Sequence, residues 1–126
     1  MLKSYGMNAV RLRVWVNHST SWCNLPDVIV KAQRAYKQGL HIMIDFHYSD
    51  YFADPSKQNT PAAWKACTFA PLKDSLVAHT TAVLTALKQV GVTPTWVQIG
   101  NETRNGMLWP TGQLWNDKGD LPNGWR

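Results

Sequence analysis

Asn101 and Glu102 stand side by side directly after the run Trp96-Val97-Gln98-Ile99-Gly100, where a buried strand would be expected to end. A carboxylate there is free of the core and can give or take a proton. Two earlier apolar runs carry polar groups in the same way. The first bears Arg11 and Arg13, and the second bears Asp45 and His47 on one face, with Asp50 beyond. In parallel α/β architectures reactive groups gather at the carboxyl ends of the strands, because loops leave the sheet there. Each residue also has a plainer role, and both readings stay open at this point. Asn101 and Glu102 could cap the following turn, Arg11 and Asp45 could form a buried ion pair, and His47 could be a hydrogen-bonded core histidine. His18, His41 and His79 have only the plain role. No pair of histidines and acids has metal-ligand spacing, so neither a metal nor another cofactor is expected.

The elements that must hold these residues follow from periodicity. Asn8 to Asn17 alternates, with Val10, Leu12, Val14 and Val16 on one face and Arg11, Arg13 and Trp15 on the other. Pro26 to Gln38 has helical spacing, Asn24 as a cap and Gly39 to end it. Leu40 to Phe46 is a second strand, Leu72 to Val90 a second helix ended by Gly91, and Thr95 to Gly100 a third strand. The irregular stretch from Tyr51 to Pro71 is long enough to suggest function. Strand-helix alternation of this kind predicts an α/β fold with a parallel sheet and right-handed crossovers. Trp96 is assigned to the core, and Phe52, Trp64 and Trp109 to loops at the active end, where an indole or phenyl face can stack on a sugar ring.

Composition narrows the function classes. The chain has 126 residues, 44% hydrophobic, which fits one domain with a core. Its net charge of +5 comes from scattered Lys and Arg with no basic run, which argues against nucleic acid. No stretch has the length of a transmembrane helix, so membrane insertion is not expected. Residues Met1 to Tyr5 carry neither an apolar signal region nor a cleavage site. Cys23 and Cys67 lie in the loops after the first and second strands, which leaves both a disulfide and free thiols open. Seven tryptophans suit a groove that binds something flat.

Three segments, VRLRVWVN (Val10 to Asn17), IDFHYSDYFADPSKQNTPAAW (Ile44 to Trp64) and VQIGNETRNGMLWPTG (Val97 to Gly112), resemble the endo-β-1,4-galactanases of glycoside hydrolase family fifty-three. The resemblance covers most of the chain. It implies a (β/α)8 TIM barrel of which residues 1–126 form a part, approximately strands two to four with their helices. It further implies a retaining glycosidase in which Glu102 is the general acid/base, held partly out of water so that it can protonate the leaving oxygen. Asn101 would hydrogen-bond the sugar hydroxyl beside the reacting carbon, and Arg11 would lie beneath the nucleophile and keep it ionised. His47, Tyr48, Asp50, Phe52 and Trp109 would contact the substrate, β-1,4-galactan. Phe52 stands where relatives carry a tryptophan, a smaller ring for the same stacking. The resemblance implies secretion or a periplasmic site, and a monomer at full length.

Retaining hydrolysis needs a second carboxylate about 5–5.5 Å from the first. In the family it ends strand seven, and Asp27, Asp45, Asp50, Asp54, Asp74, Asp117 and Asp120 match no such motif. The chain therefore reads as an internal fragment that is inactive by itself. A non-catalytic galactan-binding module or pseudoenzyme is the alternative. A doubly wound nucleotide-binding protein fits the element order, but no glycine lies between Asn17 and Asn24 to make a phosphate loop.

Overall fold

The computed structural model describes residues 2–116, 118 and 119. Three strands, β1 (Ala9–Val14), β2 (His41–Phe46) and β3 (Trp96–Ile99), pair in parallel in the order β1-β2-β3. Helix α1 (Leu25–Lys37) connects β1 to β2, and helix α2 (Phe69–Gln89) connects β2 to β3. The parallel alternation expected from the sequence is present, with strand ends shifted by at most three residues.

The period-two pattern explains the division of the sheet. Ile42, Ile44 and Phe46 of β2 are buried in one cluster with Val14, with Val28 and Ala32 of α1, and with Val83 and Leu87 of α2. Residues of opposite parity, Met43, Asp45 and His47, turn to the other face together with Arg11 and Arg13. Register aligns Arg13 with Asp45 and Asp45 with Gln98, so polar side chains of all three strands form one row. Helix α1 begins where Asn24 accepts a hydrogen bond from the Asp27 N–H (3.1 Å), with Pro26 in its first turn.

Two expectations are corrected. Helix α2 starts at Phe69, three residues earlier than the spacing suggests, because Pro71 falls in its first turn, where its missing N–H needs no partner. The preceding loop is correspondingly shorter and contains a single-turn 3₁₀ helix at Ala62–Trp64. Trp96 is not core: it is 47% exposed, at the start of an edge strand, with His41 beside it (ring centroids 5.8 Å apart). Val97 and Ile99 of the same strand are also exposed.

Candidate active site

At the carboxyl end of the sheet, Asp45 is the hub. Its Oδ2 accepts hydrogen bonds from Arg11 Nε (2.9 Å) and Nη2 (2.6 Å) and lies 3.2 Å from His47 Nε2. His47 Nδ1 accepts the Ala53 N–H (3.0 Å), so the ring proton sits on Nε2 and points at Asp45. Asp45 is 1% exposed and its Oδ1 has no partner among the described residues. Burial pushes its carboxyl toward the neutral form, but the hydrogen bonds from His47 and Arg11 outweigh this and hold it below the usual carboxylate range.

The same arginine reaches the third strand. Arg11 Nη2 donates to Asn101 Oδ1 (2.5 Å), which also receives Gln98 Nε2 at 3.3 Å, while Asn101 Nδ2 donates to Ala53 O (2.7 Å). One side chain thus ties β1, β2 and the segment after β3 together. The Arg11 side chain as a whole remains half exposed, at 51%.

Gly100 makes the turn that delivers Asn101. Its φ is +80°, and a Cβ there would meet Thr103 Cγ2 at 2.5 Å. Glu102 follows with φ +52°, a left-handed conformation uncommon outside glycine, and its side chain is exposed. Exposure differs from the partly desolvated setting expected for this carboxylate. Glu102 is the only glutamate of the sequence.

The described aspartates are all engaged elsewhere. Asp27 takes Lys31 and the Cys23 N–H at the start of α1. Asp50 takes the Asn17 N–H (2.9 Å) and the Ala62 N–H (2.8 Å), one on each oxygen. Asp54 takes Ser56 and Lys57, and its carboxyl is lowered to about 2, chiefly by the Ser56 hydroxyl and amide. Asp74 pairs with Lys73 on the solvent face of α2. Asp117 and Asp120 lie outside the described residues.

The other residues singled out from the sequence divide. Phe52 is 37% exposed, with the Arg13 guanidinium 4.3 Å from its ring centroid and Trp15, Tyr51 and His47 against its edges. Tyr48 is not brought to this face. It is 1% exposed, stacked on Phe46 beneath α2, with its hydroxyl 2.8 Å from Thr80 Oγ1. Asp50 acts as a tie between the loops after β1 and β2, as its two backbone donors show. Trp109 donates its ring N–H to Asn105 O (2.9 Å). Asp50 and Trp109 border an open cavity of about 570 Å³ shared with Tyr51, Trp64 and Cys67; Arg11, Asn101 and Glu102 do not line it. Trp64 is buried against His79 rather than offered as a platform. Cys23 and Cys67 are free thiols, so the disulfide is not formed.

Sequence reasoning missed Gln58. Its side-chain nitrogen donates to the carbonyl oxygens of Asn101 (2.8 Å), Glu102 (3.2 Å) and Asp54 (3.2 Å). Nothing in the local run Ser56-Lys57-Gln58-Asn59 distinguishes it, since two of its partners lie more than forty residues away.

Parallel strands joined by helices, with polar side chains collected at their carboxyl ends, have the arrangement of a segment of a (β/α) barrel. The comparisons agree. The profile of glycosyl hydrolase family 53 matches residues 1–125, and the chain belongs to that family. An arabinogalactan endo-beta-1,4-galactanase of Thermothelomyces thermophilus is 45% identical over 116 residues, 92% of this chain and 35% of that protein. A probable arabinogalactan endo-beta-1,4-galactanase A of Aspergillus fumigatus is 40% identical over 113 residues, 90% of this chain and 32% of that one. Among solved structures, one of two fungal beta-1,4-galactanases superposes with a TM-score of 0.87 at 45% identity, covering 91% of this chain and 34% of its own. The family 53 catalytic domain of Ignisphaera aggregans gives 0.84 at 39% identity, covering 89% and 33%. The chain spans about a third of the length of the curated relatives it matches. Among the described residues, no helix is long and apolar enough to cross a membrane.

Proposed function

We propose that this chain is the part of a retaining endo-β-1,4-galactanase that carries the general acid/base and the wall beside it. The observation that carries the reading is the hydrogen bond from Arg11 to Asn101, which places Glu102 one residue from a network joining all three strands. The galactanase names of the relatives supply the substrate class.

In this reading Glu102 gives its proton to the glycosidic oxygen as the bond to the anomeric carbon breaks, and later takes a proton from the water that releases the product. Asn101 spends one Nδ2 hydrogen on Ala53 O and turns the other to a sugar hydroxyl. The exposed part of the Phe52 ring stacks on a pyranose C–H face, with Arg13 holding the ring in place. His47 orients Asp45, Asp45 orients Arg11, and the positive charge of Arg11 holds an attacking carboxylate ionised. With one glutamate in the sequence and the described aspartates engaged, the described residues supply one of the two carboxylates that double displacement needs. In this reading the protein acts after secretion, as the resemblance implies.

Titration of the chain with β-1,4-galactotetraose, followed by amide NMR, tests this. Shifts are expected at Phe52, Asn101 and Glu102, with cellotetraose inert. Shifts confined to other surfaces would refute the assignment. A non-catalytic galactan binder is the competing reading. Binding weakened by Phe52→Ala and indifferent to Glu102→Gln, with no hydrolysis, would favour it.

A further inference from the structure

The conformation of Glu102 requires a cause. A left-handed φ at a residue with a long side chain is held only where the surroundings over-determine it. The two peptide planes that pivot on the Glu102 Cα carry the carbonyl oxygens of Asn101 and Glu102. In an extended chain successive carbonyls point in opposite directions, and a single donor cannot reach both. Gln58 Nε2 reaches both, at 2.8 and 3.2 Å, which is geometrically compatible only with a curled backbone between them. Holding both oxygens confines Glu102 to a curled backbone, and in the left-handed form observed here it holds the direction of the Cα–Cβ bond.

Gln58 is itself rigidly placed. It is buried, its own carbonyl accepts the Trp109 N–H (2.7 Å), and its side chain also donates to Asp54 O in the turn that Asp54 and Lys57 close by exchanging backbone hydrogen bonds. Three carbonyl oxygens around one nitrogen also set the amide orientation, because the flipped form would oppose oxygen to oxygen. A glutamate here would make the same clash, and an asparagine is one methylene too short.

We propose that Gln58 is the positioning residue for Glu102: by clamping the carbonyls on either side, the loop after β2 aims the carboxylate that follows β3. The proposal rests on the reading of Glu102 as acid/base, and it adds a residue outside the group that touches sugar. Heteronuclear NMR on the 126-residue chain tests it. In the unaltered protein the Gln58 side-chain amide protons are expected to exchange with solvent at least tenfold more slowly than those of exposed Gln38, and the Glu102 Cα and Cβ shifts to report a left-handed backbone. Gln58→Met, of similar length and without donors, is expected to move the Glu102 shifts out of that range while Ile44 in β2 keeps its own, a split that general loosening would not produce. Equal exchange at Gln58 and Gln38, or Glu102 shifts untouched in Gln58→Met, would overturn the proposal. Should Gln58→Met not fold, the exchange comparison in the unaltered chain decides. Saturation with galactotetraose that leaves Glu102 unperturbed would remove the acid/base reading while leaving these results standing.

Discussion

Replacing Asp45 by asparagine removes one charge at the hub of the polar row and keeps the shape of the side chain. Three donors converge on the Oδ2 atom: Arg11 Nε at 2.9 Å, Arg11 Nη2 at 2.6 Å and His47 Nε2. A hydrogen bond to a charged group contributes roughly 1.5–3 kcal/mol against about 0.5–1.5 for a neutral one, so each fully buried contact loses about 1–1.5 kcal/mol. The His47 contact is buried and counts in full; the Arg11 side chain is half exposed, so its two contacts together count about 1 kcal/mol. Relief of burying a carboxylate whose Oδ1 has no partner offsets part of this. The net expectation for Asp45→Asn is a loss of about 1–2 kcal/mol at pH 7, read from urea unfolding by tryptophan fluorescence. The pH dependence follows from the lowered carboxyl. Because the folded group ionises below its model value of 3.8, its stabilisation is complete above about pH 5 and disappears as pH falls through the folded value. The gap between the two proteins should therefore be constant from pH 7 to 5 and close below pH 4. A gap under about 0.5 kcal/mol at pH 7, or one that persists unchanged to pH 3, would refute the reasoning.

Four further outcomes are expected. Burial of His79 among Phe46, Tyr48 and Trp64 lowers its pKa below 6.5, so the fold should lose stability as pH falls from 7 toward 5; His79→Phe should flatten that slope in thermal melts. Tyr48→Phe removes the bond to Thr80 while keeping the stack on Phe46, a loss of about 1 kcal/mol in the same urea assay. Asn24→Ala removes the cap of α1 and should cost about 1 kcal/mol. Thiol titration without reductant should count two thiols per unfolded chain and fewer in the folded one, because Cys23 is buried; a count of zero in denaturant would contradict the free cysteines.

The elements were legible because each strand and helix writes its own period. Val10, Leu12 and Val14 alternate with Arg11 and Arg13, and the structure keeps that division between core and polar row. An Arg11–Asp45 pair is one of the readings the sequence leaves open, and the structure forms it; that Asn101 joins the pair is legible only to the level of three strand ends lying side by side. What failed has local causes. The resemblance implies a substrate contact for Tyr48, yet Tyr48 shares the parity of Ile42, Ile44 and Phe46, and extending the alternation by two residues puts it in the core. Trp96 reads as core by its bulk, but an edge strand with no neighbour on its outer side among the described residues leaves it in solvent. Asp50 carries the same charge whether it binds a sugar or two backbone amides, and only the coordinates show the amides. Gln58 left no trace because its role depends on carbonyl oxygens more than forty residues along the chain.

In the proposed reading Glu102 gives and takes the proton, with no second carboxylate beside it among the described residues. The most direct measurement is reducing-end release from β-1,4-galactan by the purified 126-residue chain, beside Glu102→Gln at equal concentration. The expected result is no release above background from either protein. Turnover by the unaltered chain that vanishes in Glu102→Gln would show a complete two-carboxylate site and contradict the account.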